Sequence, residues 1–399
     1  MTTTNGNKSF LKRDLSISFG SGFRKKMTSA SKTKSAPKPK PTPKASQTSS
    51  STRHKQVVGL KIGSSQLAAA VVTNNGSPKL TNAVRQDIEP GLVVGGEVRE
   101  PEALAAALDA FFSRHNLPRR KIRVGLGSNR VGVRIFERPA VDDPKQLANA
   151  IRFRAHEALP IPIEEAMLDY HVLNGGDGPG RVVLAVTYRE LVDRFVSACQ
   201  LAKLELIGID LEAFAVLRAL GAPAPQAQSD GARVAVSIGH DRTTVAVSDG
   251  QVCEFTRVLD WGGAKLTSAI ERSLRVEPAE AEKLKRSVSL TGGAERPEGA
   301  DAVANKATAA VRREVQSLAR ELGSTLEFYQ DQPSSLSFAS VSVTGGTSHL
   351  KGLDTELGKL LGIDVAVADP FARVGGKDRA GSAGPVGSLA VAIGLGIED

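Results

Sequence analysis

Two stretches decide the fold: VVGLKIGSSQLAAAVVTNNGSPKLTNAVR at 57–85 and RVAVSIGHDRTTVAVSDGQVCEFTRVL at 233–259. In the first, Val57–Ile62, Leu67–Thr73 and Lys79–Arg85 are short, rich in β-branched residues and separated by Gly-Ser-Ser and Asn-Asn-Gly. That pattern predicts an antiparallel three-strand meander. In the second, Arg233–Ile238, Thr243–Asp249 and Gln251–Leu259 repeat the plan, again with glycine in the first turn. The repetition points to an internal duplication. Each half opens with a meander whose first turn can approach a phosphate closely, because glycine adds no Cβ.

The two meanders lead into different elements. After the first comes a helix over Glu100–His115, apolar at Leu104, Ala107, Leu108, Phe111 and Phe112, and then a strand over Lys121–Gly127. Strand Val131–Arg138, helix Asp142–Ala158 and strands Asp169–Leu173 and Arg181–Thr187 break that rhythm and predict an inserted α+β subdomain at about 130–203. Helix Tyr188–Ala202, strand Leu204–Asp210 and helix Leu211–Leu220 return to a βα order. The second meander leads to helices Gly263–Ser273 and Pro278–Lys285, a long helix from about Asp301 to Tyr329, and strand Ser340–Thr344. The expected domains are an arm (1–55), a first domain (56–228) and a second domain (229–379), with 380–399 returning to the first.

The chain has 399 residues and a formal net charge of +9. Residues 1–55 hold thirteen Lys and Arg against one acid, Asp14, so the remainder is slightly acidic. The folded part is therefore not a basic nucleic-acid binder, and no specific nucleic-acid partner is expected. Residues 28–54 are Ser, Thr, Lys and Pro, a composition that cannot bury enough apolar surface to order itself. They predict a disordered basic linker. Ahead of them Phe10-Leu11, Leu15, Ile17 and Phe19 precede Arg24-Lys25-Lys26. This island is either part of a plain disordered tail or a short docking motif for a partner or anionic lipid. Cys199 and Cys253 have no metal-ligand spacing and read as buried thiols in a reducing compartment. With no apolar run of membrane-spanning length and no signal-like segment, the expected location is cytoplasmic.

The motifs VGLKIGSS (58–65), EPGLVVGGEV (89–98), LPIPIEEAMLDYHVL (159–173), RVLDWGGAKLTSAI (257–270), AEKLK (281–285) and SVTGGTSHLKGL (342–353) resemble, in that order, those of PilM proteins of type IV pilus assembly. These are actin-like ATPases related to the cell-division protein FtsA. The resemblance covers 56–399 and implies an actin-like, ribonuclease H-like two-domain α/β fold. It implies phosphate turns at Gly63-Ser64-Ser65 and Gly239-His240-Asp241, and an adenosine loop at Gly345-Gly346-Thr347. Glu282 and Lys285 match a Glu-x-x-Lys that contacts adenine and ribose. It implies, too, a cytoplasmic scaffold peripheral to the inner membrane, holding the cytoplasmic N-terminal segment of a PilN-like membrane protein within the pilus inner-membrane complex. An ATP-driven switch or filament former of the FtsA type is the alternative. The C-terminal SLAVAIGLGIED (388–399) argues against it, since it has no basic amphipathic face.

Three positions depart from the family pattern. Lys61 stands where an aspartate precedes the first turn, Ser237 where another precedes the second, and Ala68 where a lysine comes after the first. Mg²⁺ favours charged oxygen ligands, so ATP is the implied cofactor while Mg²⁺ and ATP hydrolysis are not expected. Two readings of Lys61 stay open. It either replaces the metal against the phosphates, or pairs with an acid such as Asp241, or is solvated, beside a degenerate pocket. Trp261 reads as a packing residue and His240 as a solvated turn residue.

Overall fold

The computed structural model describes residues 55–158, 162, 164–173, 180–221, 231–291, 302–332, 335–375 and 385–398. The basic arm at 1–54, most of the proline-punctuated break after residue 158 and the Gly292–Ala294 loop lie outside them. So does most of the Ala222–Gly231 linker.

The chain opens with β1 (Gln56–Ile62), β2 (Gln66–Asn75) and β3 (Ser77–Asp87), the predicted meander. A small hairpin comes next, β4 (Val93–Val94) and β5 (Glu97–Val98), then α1 (Pro101–Arg114) and β6 (Ile122–Leu126). Proline at the first turn suits α1, and Leu104, Leu108, Phe111 and Phe112 form its buried face. β7 (Val131–Glu137), α2 (Pro144–Ala158), β8 (Ala166–Leu173) and β9 (Arg181–Tyr188) make a separate unit with strand order β7-β9-β8. Ile151 and Ala155 of α2 cover one face of that sheet. Val133, Val183 and Ala185 on the other face pack with Phe214 and Cys253.

α3 (Arg189–Leu201), which the sequence reading assigns to the insert, buries Leu191, Phe195 and Cys199 with Phe111 in the first-lobe core. β10 (Leu206–Leu211) and α4 (Glu212–Leu220) complete this lobe, whose five-stranded sheet has the order β10-β6-β1-β2-β3.

The second lobe mirrors the first. β11 (Arg233–Ile238), β12 (Thr243–Ser248) and β13 (Cys253–Leu259) form the repeat meander. α5 (Gly263–Leu274), α6 (Pro278–Ser287) and α7 (Ala302–Gln330) precede β14 (Ser340–Thr344), α8 (Leu353–Leu361) and β15 (Asp364–Val367). The sheet order β13-β12-β11-β14-β15 reproduces that of the first lobe, with β14 and β15 in the places of β6 and β10. In both lobes the first strand pairs antiparallel with its hairpin partner and parallel with the strand after the crossover. Trp261 is wholly buried in the second core.

The last helix, α9 (Ala390–Gly396), returns to the first lobe and packs on α4 and β1. The approach is close enough to require glycine: a Cβ on Gly394 would lie 1.8 Å from the Ala215 carbonyl oxygen. Arg123 of β6, 4% exposed, secures this segment by donating to the carbonyls of Leu395 and Ile397 and pairing with Glu398 at 3.0 Å.

Candidate functional site

Because the lobes repeat one plan, the turns after β1 and β11 occupy matching positions and meet at the cleft between them. The cavity there measures about 1470 Å³. All twelve residues singled out in the sequence line it: Lys61, Gly63, Ser64, Ser65, Gly239, His240, Asp241, Glu282, Lys285, Gly345, Gly346 and Thr347.

The two turns are built alike. Gly63 N–H donates to the Gln66 carbonyl at 3.0 Å, and Gly239 N–H to the Arg242 carbonyl at 2.8 Å. Ser64 Oγ is buried and has no partner among the described residues. The third loop begins at Gly345, whose φ of 95° is left-handed, and Thr347 Oγ1 ties it to the second turn by donating to the Gly239 carbonyl at 2.8 Å.

On the second-lobe wall, Glu282 and Lys285 share one face of α6 and pair at 2.5 Å. Lys285 Nζ donates to Thr267 Oγ1 at 2.9 Å and to the Gly263 carbonyl at 3.3 Å, and Thr267 Oγ1 donates to Glu282 at 2.8 Å. Burial works against the charged Glu282, but the bonds from Lys285, Thr267 and Arg286 outweigh it and hold its pKa below the ordinary value. Desolvation and the Lys285 cation lower the pKa of His240. Desolvation, with Arg85 nearby, does the same for His349, whose Nε2 accepts from Gly387 N–H at 3.1 Å. Neutral imidazoles suit both positions.

Of the open readings of Lys61, pairing with an acid is what the structure shows, but the acid is Glu212 and not Asp241. Lys61 Nζ lies 2.6 Å from Glu212 Oε2, with the lysine side chain 18% and the glutamate 9% exposed. β10 ends beside β6, which pairs with β1, so Glu212 at the start of α4 faces the same side of the sheet as Lys61. Gly127 leaves room for its carboxyl group, since a Cβ there would lie 2.7 Å from the Glu212 carboxyl carbon.

Asp241 makes a different contact. Its carboxylate accepts from Gly95 N–H at 3.3 Å, so the tip of the β4–β5 hairpin in the first lobe reaches the turn after β11. Gly95 and Gly96 both have positive φ, as a tight two-residue hairpin turn requires. Arg242, paired with Asp260, lies against the same tip.

Glu212 escapes sequence reasoning because its role depends on a partner 151 residues away. Thr267 had a signal, since it lies within the GGAKLT segment. Arg85 had none; it reaches the Ser388 hydroxyl at 2.7 Å on the cavity wall.

A family model described as type IV pilus assembly protein PilM matches residues 59–399. The chain belongs to the PilM family. It is 28% identical to a chain in the solved structure of a PilM–PilN type IV pilus biogenesis complex, over 85% of this chain and 97% of that one, with a TM-score of 0.71. The ethanolamine utilization protein EutJ from Carboxydothermus hydrogenoformans is 17% identical over 87% of this chain and 91% of its own, with a TM-score of 0.50. MreB5 of Spiroplasma citri, solved with AMPPNP, is 12% identical over 86% and 95%, with a TM-score of 0.51. These last two likenesses show the fold alone, which is actin-like. Among the described residues, no helix of this PilM-family chain is long and apolar enough to cross a membrane.

Proposed function

We propose that this PilM-family protein is a scaffold of type IV pilus assembly that binds the cytoplasmic N-terminal segment of a PilN-like inner-membrane protein. The family match over 59–399, with 97% coverage of a PilM chain solved in a PilM–PilN complex, is the observation that carries the reading. On this reading the protein works in the cytoplasm and is held at the membrane through its partner. The basic arm adds salt-screened attraction to anionic lipid.

The inserted unit supports the proposal chemically. Among the described residues β8 lies at the edge of its three-stranded sheet, the position at which an extended segment can add a strand. Met167 of β8 packs with both the first-lobe core and the cluster beneath the insert. Across the same junction Arg130 lies over the Tyr188 ring at 3.9 Å and pairs with Glu97.

The cavity, on this proposal, is not a hydrolytic site. Its glycine turns and the partnerless Ser64 hydroxyl suit a nucleotide phosphate, but Lys61 and Ser237 do not suit Mg²⁺. Calorimetric titration of the full chain with the N-terminal peptide of the genetically neighbouring single-span membrane protein is the test. Saturable one-to-one binding that persists after deletion of residues 1–54 is the expected result. Binding that required the arm and ignored the rest of the chain would overturn the proposal.

A further inference from the structure

We propose that the interlobe cavity takes an adenine nucleotide without its magnesium, and that Lys61, braced by Glu212, is the built-in cation standing in for the metal. This rests on the reading of the cavity as a nucleotide site and is independent of the peptide-binding reading.

The duplication defines where a metal would sit. Lys61 and Ser237 are the penultimate residues of β1 and β11, each paired to the crossover strand of its own lobe, at Gly125 and Thr344 respectively. A divalent cation held between the lobes would have to lie near both. One position now offers an ammonium, which repels Mg²⁺, and the other a buried neutral hydroxyl, which is a weak ligand. Of the cavity's acids, Glu212 has its carboxylate engaged by Lys61 at 2.6 Å and is the more buried of that pair, while Asp241 accepts from Gly95 N–H and Glu282 pairs with Lys285.

That geometry gives Lys61 a fixed position. Its ammonium has three donors, and the bond to Glu212 uses one. Lys61, Ser64 and Ser65 border the same cavity, so the remaining Lys61 donors lie beside the turn whose buried Ser64 hydroxyl has no partner among the described residues. Glu212 also prevents the lysine from becoming an isolated buried charge when no anion is present. The pair is therefore stable in the empty protein and available to a ligand. A Mg–nucleotide complex brings its own cation to a place already filled. Magnesium should weaken binding by sequestering the free nucleotide.

The test is calorimetry of the full chain with ATP and with ADP, in EDTA and in excess Mg²⁺. Wild-type protein should bind in EDTA, and excess Mg²⁺ should weaken the affinity severalfold. Lys61→Met leaves the Glu212 carboxylate facing the cavity. It should lose at least tenfold in EDTA and regain part of that loss when Mg²⁺ is added. Lys61→Arg keeps the cation and should keep metal-free binding, so it serves as the control if the methionine variant unfolds. Glu212→Gln releases Lys61 and should tighten metal-free binding. In melting curves without nucleotide, Mg²⁺ should shift Lys61→Met upward and leave wild type unchanged. Wild-type binding that needs Mg²⁺ and is lost in EDTA would overturn the proposal. No nucleotide binding in any arm would overturn it equally and leave peptide binding untouched.

Discussion

Removing Glu398 tests how the C-terminal segment is held. The Arg123 guanidinium is 4% exposed and Glu398 5%, with 3.0 Å between them. Burial lowers the Arg123 pKa, and Arg218 adds to this, while Asp210 and Glu398 oppose it. Breaking a buried pair by deleting one partner typically costs about 3–5 kcal/mol. Here Asp210 and two backbone carbonyls remain near Arg123, so the lower end, about 3 kcal/mol, is expected for Glu398→Ala. At about 2–4 °C per kcal/mol for a lobe of this size, its unfolding should drop by roughly 6–12 °C in scanning calorimetry. The double variant Arg123→Met/Glu398→Leu should lose less than Glu398→Ala alone, because neither charge is then left to be desolvated. A drop of less than about 2 °C for Glu398→Ala, or a double variant worse than both single ones, would refute the reasoning.

Neighbouring contacts set further outcomes. Gly394→Ala should destabilise the first lobe by about 3 kcal/mol in denaturant titration, since its Cβ meets backbone rather than a movable side chain. Arg181, part-exposed, pairs with Asp249 at 2.6 Å and Glu254 at 2.9 Å; Arg181→Ala should cost about 1–2 kcal/mol and speed amide exchange in β7–β9. Asp169 has its pKa pushed up to about 7, chiefly by burial, so between about pH 4 and 7 the folded state holds the extra proton and stability falls as pH rises. Asp169→Asn should therefore melt higher than wild type above pH 7, by about 2–4 kcal/mol, with the gain shrinking toward pH 4 in melts across that range. If the cavity takes nucleotide, Lys285→Ala should weaken it about tenfold in calorimetry, because Thr267 and Glu282 lose their shared donor.

The strands with alternating β-branched residues and glycine turns were legible. The three strands of each meander were expected within about three residues of their ends, and Ser340–Thr344 without error. α9 was not, since AVAIGLG is buried on all sides and shows no periodicity, and the four-residue strand β15 is too short to carry a pattern. The candidate cavity residues came from the family resemblance, whose motifs are local glycine turns and a Glu-x-x-Lys, and the fold brings them to one cavity. The Lys61 partner was not legible, because choosing Glu212 over Asp241 requires knowing that β10 lies beside β6, which lies beside β1. The domain edge near α3 illustrates the same limit: helix period shows that Leu191 and Phe195 face a core, but not which one.

The hairpin tip at Gly95 and the Arg181 contacts tie the second lobe to the first lobe and to its insert at separate places. These ties are present in the protein without any ligand. The two ties act at different distances from the cleft, so a change of interlobe angle would have to break or stretch both of them.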